Sequence, residues 1–267
     1  GVKAFLREWP RPTITESRSF TEYLLATIAG LLYGMIMQLT VLDPNNPEQS
    51  FPPISKALAK PDGLLAVGGC LSKSRLLNAY RQGIFPWNSP DEPILWWSPN
   101  PRLVLFPDKI VISRSLAKTL RKQQFTITID QAFTEVVQAC AMPRKEDLGT
   151  WITQGIYQAY YGLHQSGYAH SAEAWLNGEL VGGLYGIAIG QVFFGESMFF
   201  SKTDASKVAF VSLVGRLKHW GYKLVDCQVS TRHLRNFGAE EIARSDFAGL
   251  LDQYCEQSPD PSAWQGV

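Results

Sequence analysis

The spacing of apolar residues changes several times along this chain, and each change marks an element. In "GLLAVGGCLSKSRLLNAYRQGIFPW", residues 63–87, a short apolar run precedes a glycine turn. Ser72 then stands at a helix N-cap position, and Leu76, Leu77 and Tyr80 follow on one helical face. The next stretch, "FPWNSPDEPILWWSPNPR", carries prolines 86, 90, 93, 99 and 101, which forbid a long regular element and hold Trp87, Trp96 and Trp97 in turns. Beyond Pro101, "RLVLFP" and "FTITID" read as strands, while "IDQAFTEVVQACA" and "TQGIYQAYYGLHQSG" read as helices, the second with Ile156, Tyr160 and Leu163 on one face. Residues 170–200 read as three antiparallel strands turning at Asn177-Gly178 and Gly190-Gln191. A helix capped by Asp204 follows, with Phe210, Leu213, Val214 and Leu217 at helical spacing, and "YKLVDCQV" closes as a buried strand. This order predicts an α+β layer fold. A small domain over residues 37–100 and a larger one over 101–267 are expected, with Trp96 and Trp97 plugging the joint.

Composition narrows the partners. The chain has 267 residues, enough for one large or two modest domains. Its 25 basic residues are matched by 24 acidic ones, so no global field draws it onto nucleic acid or membrane, and any polyanion site must be local. Cys70, Cys140, Cys227 and Cys255 form no Cys-x-x-Cys pair, and the four histidines lack metal-ligand spacing. A reduced, cytoplasmic protein with no metal and no cofactor is the expectation. Tyr23–Leu42 is uncharged over a length that spans a bilayer, but "MIMQLTVLDPNNPEQSFPP" already reads as the entry to a folded domain. Residues 1–36 are therefore read as an upstream extension rather than an anchor.

Three features carry candidate chemistry. Glu196 sits alone in "FFGESMFF", and a buried carboxylate without a partner costs several kcal/mol, so it needs a cation from its own chain or from outside. Alternation on its strand groups Glu196 with Phe194 and Met198. On "KLVDCQV", alternation places Asp226 and Gln228 on one face, a pair able to orient an amine, accept a proton or simply hydrogen-bond within the fold. Arg114, Lys118, Arg121 and Lys122 would form one stripe on a helix, either a solvated face or a site for RNA phosphates. No phosphate-binding Gly-x-x-x-x-Gly-Lys loop, dinucleotide fingerprint or Gly-x-Ser-x-Gly elbow is present.

Taken together, "DGLLAVGGCLS", "YRQGIFPW", "ILWWSPNPR", "GTWITQGI", "FFGESMFF" and "KLVDCQV" resemble, in order and spacing, the leucyl/phenylalanyl-tRNA–protein transferases from about Met37 to about Asp260. The resemblance implies a GNAT-like carboxy-terminal domain, similar to GCN5-related acetyltransferases. It also implies transfer of Leu or Phe from aminoacyl-tRNA to proteins with an amino-terminal Arg or Lys, which marks them for N-end rule degradation. It assigns Asp226 and Gln228 to catalysis and Glu196 to the acceptor's positive end. Trp87 and Trp151 fall to the terminal adenosine, Met198 and Leu213 to the aminoacyl side chain, and Arg114, Lys118 and Arg121 to tRNA. The implied protein is a monomer with no stable membrane partner. An acetyl-CoA-dependent enzyme would carry a Gly-x-Gly loop where this chain has "FFSKTDASK". A non-catalytic tRNA-binding module would leave Glu196, Asp226 and Gln228 without a purpose.

Overall fold

The structure, a computed structural model, describes residues 39–89, 92–142 and 152–265. The 1–36 extension, most of the Tyr23–Leu42 stretch and Trp151 lie outside the described residues.

Two sheets share one interior. The smaller contains β1 (Thr40–Leu42), β2 (Leu64–Gly68), β3 (Phe85–Pro86) and β4 (Leu95–Trp97) in the order β1-β2-β4-β3. Between β2 and β3 runs α1 (Lys73–Arg81), whose first turn is closed by Ser72 accepting a hydrogen bond from the Arg75 N–H. Leu76 and Tyr80 are fully buried on its inner face. Proline keeps β3 and β4 short, and side chains take over the bonding. Trp96 Nε1 donates to the Gly68 carbonyl and Trp97 Nε1 to that of Trp87, both at 2.8 Å.

The larger sheet holds β5 (Arg102–Leu105), β6 (Thr126–Ile129), β7 (Ala169–Leu176), β8 (Glu179–Ile189), β9 (Val192–Phe200), β10 (Leu224–Gln228) and β11 (Glu240–Ile242), in the order β11-β5-β10-β9-β8-β7-β6. The meander β7-β8-β9 turns at the two predicted glycine positions. Its parallel pair, β9 with β10, is joined through α5 (Ala205–His219). One face packs against α3 (Phe133–Ala141), α4 (Gln154–Gln165), α7 (Arg244–Tyr254) and the small sheet. Tyr80, Phe85, Trp96, Trp97, Phe133, Tyr160, Phe194 and Phe247 make that core continuous. The other face buries Phe193, Val225 and Leu103 against Phe210, Leu213, Val214 and Leu217 of α5 and Leu116 of α2 (Arg114–Arg121). Trp96 and Trp97 therefore lie in the core that both sheets share.

Asp204 differs from its predicted role. It adopts a left-handed backbone, φ 66°, and makes no side-chain cap bond to α5. Its carboxylate instead takes Lys207 Nζ at 2.7 Å and the Thr119 hydroxyl at 3.1 Å, tying α2 to the start of α5. Among the described residues no helix is long and apolar enough to cross a membrane.

Candidate active site

The site forms where β9 and β10 part. The two strands pair over Val192–Phe194 and Leu224–Asp226. Past that point a cavity opens between them, lined by Glu196, Ser197 and Met198 on one side and by Cys227, Gln228 and Thr231 on the other. Trp87, Leu184, Tyr185, Phe193 and Phe210 complete much of its wall, so the lining is mainly apolar.

A bulge sets the direction of Glu196. Against β8 the register shifts between the pairs Tyr185–Ser197 and Gly186–Gly195, leaving Glu196 as the extra residue. Gly186 is required there, because a Cβ would lie 2.3 Å from the Phe194 carbonyl oxygen and 2.5 Å from the Phe193 ring. The bulge also corrects the predicted alternation. Phe194 packs on Tyr80 in the first core, whereas Met198 packs against the second, so the two do not share a face with Glu196 between them.

Glu196 meets three neutral donors. Tyr80 Oη lies 2.8 Å and Gln228 Nε2 2.9 Å from Oε1, and Tyr160 Oη lies 2.9 Å from Oε2. Burial pushes its carboxyl up to about 7; the two tyrosine bonds oppose that shift, nearby Asp226 adds to it, and Arg102 lowers it. Burial likewise holds the Tyr80, Tyr160 and Tyr185 hydroxyls well above their ordinary range.

Asp226 is bound quite differently. It is 0% exposed and forms a fork with Arg102, Nε to Oδ1 at 2.8 Å and Nη2 to Oδ2 at 2.7 Å. The guanidinium lies over Phe85 and Phe247, at 4.8 and 4.7 Å from the ring centroids, and also donates to the Gly83 carbonyl. Oδ1 accepts a further bond from the Gln228 N–H at 2.8 Å. Gln228 has φ 62° and is the centre of a turn closed by the Val229 N–H on the Cys227 carbonyl at 2.8 Å. A positive-φ turn of this size is rare and strained. The N–H bond to Asp226 holds it, and the turn aims the Gln228 amide at Glu196.

The structure thus brings Glu196, Gln228 and Asp226 together, with Trp87 and Met198 on the same cavity wall. Leu213, expected beside the aminoacyl side chain, is 1% exposed in the core and is not in the lining; Phe210, three residues earlier on the same stripe of α5, reaches the cavity instead. Arg114, Lys118 and Arg121 are exposed on α2 and lie outside the cavity wall. Tyr80, Tyr160 and Arg102 were not among the predicted site residues. Each still left a signal, since a tyrosine on a buried helical stripe needs a partner for its hydroxyl and an arginine in a buried strand needs an anion. His233 also lines the cavity, and burial pushes its imidazole down to about 4, so it is neutral at physiological pH.

The profile of the leucyl/phenylalanyl-tRNA protein transferase family matches residues 104–252, and the profile of that family's amino-terminal domain matches residues 69–100. Curated proteins named leucyl/phenylalanyl-tRNA–protein transferase are similar over most of their length. The protein from Methylococcus capsulatus is 56% identical over 85% of this chain and 97% of its own. That from Pseudomonas fluorescens SBW25 is 58% identical over 80% and 95%, and that from Nitrosomonas europaea 60% over 76% and 86%. Among solved structures, a GCN5-related N-acetyltransferase from Kribbella flavida overlaps 62% of this chain and 60% of its own, with 11% identity and a TM-score of 0.36. The L-PGS of Bacillus licheniformis overlaps 62% of this chain and 54% of its own, with 15% identity and the same TM-score. Overlaps that slight carry no argument.

The profiles and the relatives define an enzyme class, the aminoacyltransferases. Within it, the chain belongs to the leucyl/phenylalanyl-tRNA–protein transferase family.

Proposed function

We propose that this enzyme moves leucine, or phenylalanine, from its tRNA to the α-amino group of proteins beginning with Arg or Lys and so marks them for N-end rule degradation, acting as a cytoplasmic monomer. The observation that carries the reading is Glu196, a partly buried carboxyl at an apolar cavity whose hydrogen-bond donors among the described residues are all neutral. A cationic first residue supplies the charge it lacks. Leu184, Phe193, Met198 and Phe210 offer an apolar wall to the side chain being transferred. Trp87, also in the wall, offers a face for stacking the terminal adenosine. The exposed stripe of Arg114, Lys118 and Arg121 suits the phosphates of an acceptor arm.

The chemistry needs little acid–base help. An α-amino group has a pKa of roughly 7.7–8.0, so a sizeable fraction is neutral at physiological pH, and an aminoacyl ester is an activated donor. Holding the two at attack distance is worth several kcal/mol. Asp226 is fully buried and already accepts three hydrogen bonds, from Arg102 and the Gln228 N–H, so its part in this scheme is to hold Gln228 rather than to take the amine's proton. Gln228 then fixes Glu196 and orients the incoming amine.

The test is transfer of labelled leucine from Leu-tRNA to a peptide starting with Arg, beside the same peptide acetylated at its amino terminus and one starting with Glu. Transfer to the free Arg peptide alone is expected. Equal transfer to the Glu peptide would remove Glu196 from acceptor selection, and no transfer at all by folded, tRNA-binding protein would favour a binding module.

A further inference from the structure

Four oxygens of the site stand in a ring closed by the Glu196 carboxyl. Tyr80 Oη is 2.8 Å from Glu196 Oε1, Tyr160 Oη is 2.9 Å from Glu196 Oε2, and the two phenol oxygens are 2.5 Å apart. A hydroxyl carries one proton, so three such contacts need three protons, and the phenols bring two. If Glu196 were ionised, both phenols would turn their protons toward it. Two lone-pair-bearing oxygens would then face each other at 2.5 Å in a dry interior, where nothing screens them. With a proton on the carboxyl, each contact has its donor: the acid donates to one phenol, that phenol to the other, and the second phenol to the remaining carboxyl oxygen. Gln228 Nε2 adds a bond to Oε1 but no proton to the phenol pair.

The charges around the ring agree. Tyr80 faces Glu196 from α1, Tyr160 from α4, Tyr185 from β8, Gln228 and Asp226 from β10, and Arg102 from β5. The Arg102 charge is matched by Asp226, so the fixed charges sum to zero with Glu196 neutral and to −1 with it ionised. A net charge in a partly buried, mainly apolar site is costly unless a partner arrives.

We infer that the empty site carries Glu196 as a neutral carboxylic acid, closing the ring with Tyr80 and Tyr160, and that the cationic end of an acceptor peptide displaces this proton as it binds. The inference rests on the acceptor role proposed for Glu196 above. In balance, the carboxylic acid and the peptide cation become a carboxylate–cation pair, and one proton leaves to solvent. No bond to carbon changes in this step. Upward displacement of the Glu196 pKa by burial supports the same state.

The experiment has two parts, both on the full enzyme. First, infrared difference spectra at pH 6 compare the free wild-type protein with Glu196→Gln. A carbonyl band of a protonated carboxyl, present only in the wild type, is expected, and its absence overturns the inference whatever the acceptor proves to be. Second, binding of a dipeptide beginning with Arg is followed by calorimetry at pH 6 in two buffers of different ionisation heat, where the peptide's α-amino group stays protonated. Release of close to one proton per peptide is expected. Binding with no release overturns the inference. A carboxyl band without any peptide binding upholds the acid but overturns the acceptor role, so the two failures are told apart. Linkage adds a further readout, since a peptide that must displace a proton binds about fivefold more weakly at pH 6 than at pH 7.

Discussion

Where β9 and β10 part, two carboxyls meet in one site, Asp226 fully buried and Glu196 partly so, and the protein treats them in opposite ways. Asp226, on β10, is met by a bidentate arginine whose charge it cancels, and its remaining bond goes to the backbone of Gln228. Glu196, in the β9 bulge, is met among the described residues only by phenols and an amide. The same chemical group thus forms a closed fixture where it is fully buried and an open one where it borders the cavity. Burial alone does not mark a carboxyl as functional; the charge of what surrounds it does. Gln228 connects the two, with its N–H on Asp226 and its side chain on Glu196.

The most severe way to break this contrast is to open the closed fixture. Arg102→Met keeps much of the stem between Phe85 and Phe247 but leaves the Asp226 carboxylate buried without a counter-charge. A loss of about 3–5 kcal/mol of stability is expected in denaturant unfolding at pH 7. The double variant Arg102→Met/Asp226→Leu should recover much of that loss while transfer stays low, because nothing then holds the Gln228 turn. A single-variant loss below about 1 kcal/mol would show that Asp226 is not held by Arg102 in the way described.

The open fixture should respond in the opposite sense. Burial raises the Glu196 carboxyl from 4.5 to about 7, so the fold favours its neutral form. A raised carboxyl pKa contributes stability that is whole below the unfolded value near 4.5 and is lost as pH climbs to the folded value near 7. Glu196→Gln lacks this titration. It should match the wild type near pH 4 and exceed it by roughly 3 kcal/mol at pH 8, read from unfolding curves across that range. Transfer to an Arg peptide should fall at the same time. A variant less stable than the wild type at pH 8 would mean that Glu196 already has its counter-charge within the chain.

How much of this was legible beforehand depended on the range of the interaction. The meander and its turns at Asn177-Gly178 and Gly190-Gln191 follow from local alternation and turn chemistry, and so does the buried stripe of Ile156, Tyr160 and Leu163. The Asp226–Gln228 pairing was readable only in part, since the register of β10 against β5 shifts between these two residues and the strained turn, not the pleat, brings them together. The bulge was not, because a single added residue leaves no period of its own and shows itself only against Gly186 of the partner strand. Strand order was also hidden. β5 enters between β10 and β11, joining Arg102 to Asp226 across 124 positions, and no periodicity encodes such a pairing. Hence Glu196 and Asp226 were readable as candidates, while the difference between them was not.

The finest test acts on the residue that joins the two fixtures. Gln228→Asn keeps a side chain that tolerates a left-handed backbone and preserves the N–H that Asp226 accepts, but it is one methylene too short to reach Glu196 as Gln228 does. The expected cost is about 1 kcal/mol of stability, one net hydrogen bond, against about a tenfold fall in transfer if the amide positions Glu196 and the amine. Gln228→Val, which forces a β-branched residue into the same φ, should cost a further 1–2 kcal/mol through the backbone. If Gln228→Asn instead destabilised the protein as much as Arg102→Met, the amide would be part of the closed fixture. Glu196 and Asp226 would then form a single structural network rather than one anchored carboxyl and one left open for a cation.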